Sequence, residues 1–262
     1  MPIMWLRLMR TLIALASQPT PAPLAGLELR DTGPDITRDY EGLLDTVWSR
    51  LLVDPQPPTF AEGRPYVVHL FRSGRYDAAR QAWRRLTEGL GLVDQAYAGG
   101  SNEVWNGSFE LEILGDPLGW RIRRSEAFRF DRVPEPGRDG GSMVLALEFL
   151  GSENLSFAHV SQELLLEAGR TYELSAVMKA HELSTDQGVF LEVISREPGR
   201  RLVATEPLLG STGWTTISAR FTLSEETNRA LVRLRRRPSQ QIDNRIRGKV
   251  YLDSVRIEQV RP

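Results

Sequence analysis

The chain has 262 residues, is 41% hydrophobic and 26% charged, and carries a formal net charge of -1. That length exceeds a typical single domain, the apolar content suffices for a packed core, and the near-zero charge excludes global steering toward nucleic acid or acidic membranes. The absence of cysteine excludes disulfides, thiolate zinc sites and a Cys nucleophile, and leaves the compartment open.

Residues Met1 to Ala16 carry Arg7, Arg10 and a short apolar run ending Ala14-Leu15-Ala16. Two readings stay open. One is a secretory signal; the other is an amphipathic helix from Ile3 to Ser17, which fits the arginines that interrupt the apolar stretch. No stretch approaches the ~20 apolar residues that span a bilayer, so a transmembrane chain is not expected. Four prolines and two glycines make Gln18 to Pro34 a connector. Tyr40, Leu43, Leu44, Val47, Trp48, Leu51 and Leu52 repeat at helical spacing, so a helix is expected over Arg38 to Leu52, ended by the prolines of Asp54 to Pro58.

From Arg64 to Leu90 the pattern gives a helix to Arg72, a turn at Ser73-Gly74 and a second helix from Tyr76 to Thr87. Leu70, Gly74, Tyr76, Ala79, Ala82, Trp83 and Leu86 resemble one tetratricopeptide repeat. The resemblance implies a docking or spacer element; a helical hairpin that packs only within the protein is the alternative. Residues 1–98 are therefore expected to be α-helical, with a composition break at Gly99-Gly100.

Beyond the break, short β-branched and aromatic runs alternate with Gly, Pro, Asp and Asn clusters, the pattern of an antiparallel β-sandwich over 101–262. VWNGSFELEI (Val104 to Ile113) is expected as the first strand and KVYLDSVRIEQV (Lys249 to Val260) as the last. Between them strands are expected at Trp120–Arg123, Phe128–Arg132, Ser142–Phe149, Leu155–Glu167, Thr171–Lys179, Val189–Ser195, Leu202–Thr205, Trp214–Thr222 and Arg229–Arg236. Tyr172, Leu174, Ala176 and Met178 alternate with Glu173, Ser175 and Lys179, which sends one face of that strand to the core. The glycines of Gly137 to Gly141 read as a turn.

NGSFE, Gly119-Trp120, VSQEL with EAGRTYELSAVMKA, GWTTISARFT and VYLDSV, in that order, resemble the family 4/9 carbohydrate-binding modules. The resemblance covers about 155 residues and implies a galactose-binding-like jelly roll that binds sugar without cleaving it. It also implies a structural calcium ion held by Glu110, the Ser108 carbonyl and Asp253. Calcium takes six to eight oxygens, so further donors such as Glu153 would be needed, and an arginine-paired cluster is the alternative. Glu110, Glu112, Glu148, Glu163, Glu173, Glu192 and Asp253 all fall on expected strands, so a hydrolytic carboxylate pair is left open by sequence; the resemblance argues against one.

Histidines 69, 159 and 181 lie far apart without metal-ligand spacing, and no phosphate loop or serine nucleophile elbow occurs. Sugar recognition needs exposed aromatic faces with polar groups beside them. Trp120, flanked by Arg121 and Arg123, is the expected platform, whereas Trp214 is expected in the core as in the resembling family. Seven arginines and one acid, Asp243, lie between Arg229 and Arg247. By period 2, Arg233 and Arg235 share a strand face about 7 Å apart, spacing suited to an anionic polysaccharide; arginine stems covering apolar surface are the alternative. The expected function is non-catalytic polysaccharide binding at a bacterial cell envelope, periplasmic or extracellular, in surface-polymer export or assembly. The cytoplasm is not excluded, and the rival is a protein-interaction scaffold whose sandwich binds no sugar, partnered through the N-terminal helices. Nucleic acid is not an expected partner.

Overall fold

The computed structural model describes residues 7–10, 13, 36–54, 57–135, 142–242 and 244–260. Most of the expected Ile3–Ser17 helix, the Gln18–Pro34 connector and the Gly137–Gly141 turn lie outside these residues; residues 7–10 and 13 are helical. The chain divides into two compact units, Met1–Val93 and Asp94–Pro262. Among the described residues, no helix is long and apolar enough to cross a membrane.

The first unit contains α1 (Ile36–Leu52), α2 (Phe60–Arg72) and α3 (Tyr76–Gly89). Helix α2 starts before Arg64, because Thr59 and Glu62 form a capping box: the Glu62 carboxylate accepts from the Thr59 backbone N–H at 3.0 Å. Gly74, with φ of 77°, makes the turn into α3, a conformation that costs glycine nothing. A Cβ at Gly63 would stand 2.5 Å from Leu86 Cδ1, so this glycine sets how closely α2 approaches α3. The indole of Trp83 is fully buried beside it, edge-on to Phe60. Helix α1 adds Trp48, stacked on Tyr66 at 4.7 Å, and a polar cluster in which Glu41 meets His69 at 2.9 Å and Arg75 reaches Asp45 at 2.7 Å. The Tyr66 hydroxyl donates to Asp45 at 2.6 Å; burial, then that hydrogen bond, pushes its pKa well up.

The second unit starts with the short helix α4 (Gln95–Ala98), whose N-cap Asp94 accepts from the Tyr97 N–H at 3.1 Å and from Asn106 N–H at 2.6 Å. Among the described residues ten strands follow: β1 (Arg121–Ile122), β2 (Phe128–Pro134), β3 (Met143–Leu150), β4 (Phe157–Leu165), β5 (Thr171–Leu183), β6 (Phe190–Ser195), β7 (Arg201–Ala204), β8 (Gly210–Thr222), β9 (Arg229–Arg236) and β10 (Arg247–Gln259). They pair antiparallel in two five-stranded sheets, ordered β1-β4-β9-β6-β7 and β2-β3-β10-β5-β8, a sandwich of jelly-roll type. Alternation works as expected in β5: Tyr172, Leu174, Ala176 and Met178 are buried while Glu173, Ser175 and Lys179 face out. Leu147, Phe149, Phe157, Val232, Leu234, Val250 and Leu252 join them in one core, each such side chain contributing about 1.5–3 kcal/mol by leaving water.

The expected first strand is the main departure. Residues 104–113 form a tight turn and loop, not a strand. Asn106 and Phe109 take positive φ of 51° and 56°, which no regular strand allows. Side chains, not a ladder, hold the segment. The Asn102 amide accepts from Ile257 N–H at 3.0 Å and donates to Val255 O at 3.2 Å, and Gln162 clasps the Trp105 backbone N–H and C=O at 2.9 and 2.8 Å. The Val255 N–H donates to Gly107 O at 2.8 Å, so the loop lies along β10 beyond the end of its pairing with β3.

Candidate functional site

The outer face of the sheet β2-β3-β10-β5-β8 carries the most site-like arrangement among the described residues. In β10, Val250 and Leu252 point inward, which turns Lys249 and Tyr251 outward. In β5 the same rule turns the half-buried Lys179 outward. Strand β8 bulges here, since register shifts between Met178 and Ala180, whose partners are Thr215 and Thr212. Trp214 borders the bulge and shares the outer face with Thr216 and Ser218, because Ile217 and Phe221 on the same strand turn inward. Trp214 and Tyr251 lie edge to face with centroids 6.2 Å apart, and the Lys179 ammonium sits 5.8 Å from one ring and 5.2 Å from the other. Glu135 holds that ammonium at 3.1 Å.

Two adjoining depressions lie beside Tyr251. One, of about 340 Å³, is lined by Arg129, Asp131, Glu148, Lys249 and Tyr251. The other, of about 560 Å³, shares the last three residues and adds His181, Glu182 and Arg247. Lys249 and Glu148 are cross-strand partners, 3.8 Å apart. An aromatic pair beside hydroxyl-binding acids, amines and guanidiniums can stack on one sugar ring while bonding the hydroxyls of the next. Sequence reasoning passed over Tyr251 although its signal was in the chain, since the buried Val250 and Leu252 flank it.

Trp120 is not a platform. It is fully buried, packed 5.3 Å from Phe109, and its Nε1–H donates to Asn106 O at 3.0 Å, because the turn at 106–109 folds over it. Arg121 and Arg123 remain at the surface on the other side of that short strand. Arg121 lies 3.7 Å from Asp116, and Arg123 donates to Ala158 O at 3.0 Å. Trp214 reverses expectation too: it is half-buried on the outer face and does not join the core cluster.

Arg233 and Arg235 do share the outer face of β9, but strand order brings Glu192 of β6 between them. Glu192 is 3% exposed and lies 2.6 Å from Arg233 Nε and 3.8 Å from Arg235 Nε. Arg235 further donates to Ser156 Oγ, Phe157 O and Arg236 O. Both guanidiniums are thus engaged within the protein, and the face is no open clamp for an acidic polymer. Nearby, Glu163 is flanked by Arg196 at 3.0 Å and Arg229 at 3.6 Å; burial raises its pKa, against the pull of both arginines.

The loop carrying Ser108 and Glu110 reaches β10 at Val255, close in sequence to Asp253. Glu110 accepts from Met143 N–H at 3.0 Å, and its carbonyl accepts from Arg132 at 3.0 Å. Asp253 is 2% exposed and accepts from Ser254 N–H at 2.6 Å. Carboxylate and carbonyl oxygens are the donor types that a hard cation takes, so the residue types suit calcium. Among the described residues no group of three or more His, Cys, Asp and Glu is placed to hold a metal. The histidines are separate: His69 bonds Glu41, His159 packs 5.2 Å from Phe128 and Phe157, and His181 lies 3.9 Å from Glu182. Burial, and then the charge of Arg123, lowers the His159 pKa.

No family model matches the chain and no curated protein matches it in sequence. Solved structures similar to it include a family 4 carbohydrate-binding module, 17% identical over 60% of this chain and 99% of that one, with a TM-score of 0.44. A family 22 xylan-binding domain from Paenibacillus barcinonensis is 17% identical over 60% and 93%, with a TM-score of 0.40. A family 61 module solved with β-1,4-galactotriose is 19% identical over 61% and 99%, with a TM-score of 0.39.

Proposed function

We propose that the sandwich is a non-catalytic polysaccharide-binding module at the bacterial cell envelope, taking an extended glycan across the outer face of β2-β3-β10-β5-β8. The observation that carries this is the Trp214–Tyr251 pair bridged by Lys179, with Tyr251 lining two adjoining depressions. Both lysines of the chain lie here and each is countered by a glutamate, so ring stacking rather than net charge sets the affinity. The helical unit, with its tetratricopeptide-like hairpin, would dock a protein partner in polymer export or assembly. In affinity gels against neutral and acidic glycans, Tyr251→Ala and Trp214→Ala are each expected to weaken binding about tenfold, or ~1.4 kcal/mol, with an unchanged melting temperature. Equal retardation of both variants and the parent would favour the scaffold reading instead.

A calcium ion on Asp253, Glu110 and the Ser108 carbonyl belongs to the same proposal, as a structural ion that would tie the loop to β10. Chelator is then expected to lower the melting temperature by several degrees, because an ion bound only by the folded state stabilises it by mass action. Asp253→Asn should remove that sensitivity. Identical melting of the parent with and without chelator would rule the ion out.

A further inference from the structure

A sheet edge is a row of backbone donors and acceptors, and soluble proteins blunt such edges by shortness, charge or proline. Three of the four edges of this sandwich are treated that way. Strand β1 has two residues and β7 has four; β2 has seven but carries Arg129, Asp131, Arg132 and Pro134. Strand β8 is different: it has thirteen residues, sits at the edge of its sheet with β5 as its one strand partner among the described residues, and bears one charge, Arg220. Ser211, Gly213, Thr215, Thr216, Ser218 and Arg220 along it are exposed. No proline or lysine interrupts it.

We propose that β8 is a homodimer interface, in which a second copy adds its own β8 antiparallel and joins the two sheets into one of ten strands. Past the bulge, residues 214–222 alternate regularly, with Trp214, Thr216, Ser218, Arg220 and Thr222 outward and Ile217, Ala219 and Phe221 on the core side. A two-fold axis normal to a sheet keeps faces matched only if one residue meets its own copy. Centring it on Ser218 sets Ser218 against Ser218, Thr216 against Arg220, Trp214 against Thr222 and Ile217 against Ala219. No like charges stand directly opposite, and Arg220 already leans on Glu173 of β5 at 3.3 Å. The strand is therefore complementary to itself. A second consequence concerns the aromatic pair: the two copies of Trp214 would lie about 27 Å apart on one continuous face, giving two platforms in line. That would turn single-site binding into bivalent binding of a long chain.

The test is sedimentation velocity on the full-length protein over a concentration series, without any glycan, so that its outcome is independent of the sugar reading. The parent is expected to dimerise. Ser218→Lys and Ser218→Glu each set like charges opposite across the axis and should weaken the dimer at least tenfold, with melting temperatures near the parent's because Ser218 is exposed. Mixing the two variants should restore a dimer containing one of each. A parent that stays monomeric overturns the proposal, whatever else the edge captures. So does a Ser218→Lys protein that dimerises as tightly as the parent, or a Lys and Glu mixture that stays monomeric.

Discussion

Arg236→Ala is expected to destabilise the sandwich by about 3–5 kcal/mol, a drop of roughly 10 °C or more in melting temperature. Arg236 ends β9 and is fully buried. Its guanidinium donates to Leu155 O at 2.6 Å, Asn244 O at 2.8 Å, Asn154 Oδ1 at 3.0 Å, Gln187 O at 3.3 Å and Thr185 Oγ1 at 3.4 Å. These oxygens come from the segment before β4, the β5–β6 connection and the approach to β10, so one planar group pins three connections at one end of the sandwich. Burial lowers its pKa while the Asp186 carboxylate opposes the shift. Removing the side chain leaves a cavity and buried acceptors without a donor, each costing about 1–3 kcal/mol. Lysine would not rescue it, having three donors in place of a rigid fork of five. Arg237→Ala, one residue on and exposed, should change stability by less than ~0.5 kcal/mol. Equal denaturant midpoints for the two variants would refute this account of Arg236.

Gly107→Ala is expected to cost about 3 kcal/mol or more, because the new Cβ would stand 2.0 Å from Val255 O. That oxygen belongs to the backbone of β10, which is held between β5 and the loop and cannot swing aside as a side-chain tip can. The loop must instead lift, which strains the Val255 to Gly107 hydrogen bond, the Asn102 clasp and the Trp120 contact to Asn106 O. Urea unfolding should show a lower midpoint with an unchanged slope, as expected when native packing alone is altered. Gly115→Ala serves as the control, since its Cβ would meet nothing within 4 Å. If Gly107→Ala unfolds at the parent's midpoint, the loop is not clamped to β10 as described.

What the sequence determined by itself is what depends on short spacing. Period 2 in Thr171–Lys179 and Arg229–Arg236 set strands and their inward faces, and period 3.6 with Ser73-Gly74 set the helical hairpin, because a strand or a helix buries whichever residues recur on one side. The same rule, applied to Val250 and Leu252, also places Tyr251 outward. Tertiary structure decided the rest. VWNGSFELEI has strand composition, yet Asn102 and Gln162, from outside that segment, supply the hydrogen bonds that a ladder would have given, and two positive-φ residues turn the chain. Trp120 and Trp214 exchanged their expected places: the turn closing over one indole is a tertiary event that no local pattern records, whereas the inward Ile217 and Phe221 already place the other outward by period 2. Arg233 and Arg235 kept their predicted face but not their predicted freedom, since Glu192, remote in sequence, arrives between them only when β6 pairs with β9. Which charges stay open for a ligand is fixed by strand order, and strand order is set by how the whole core closes.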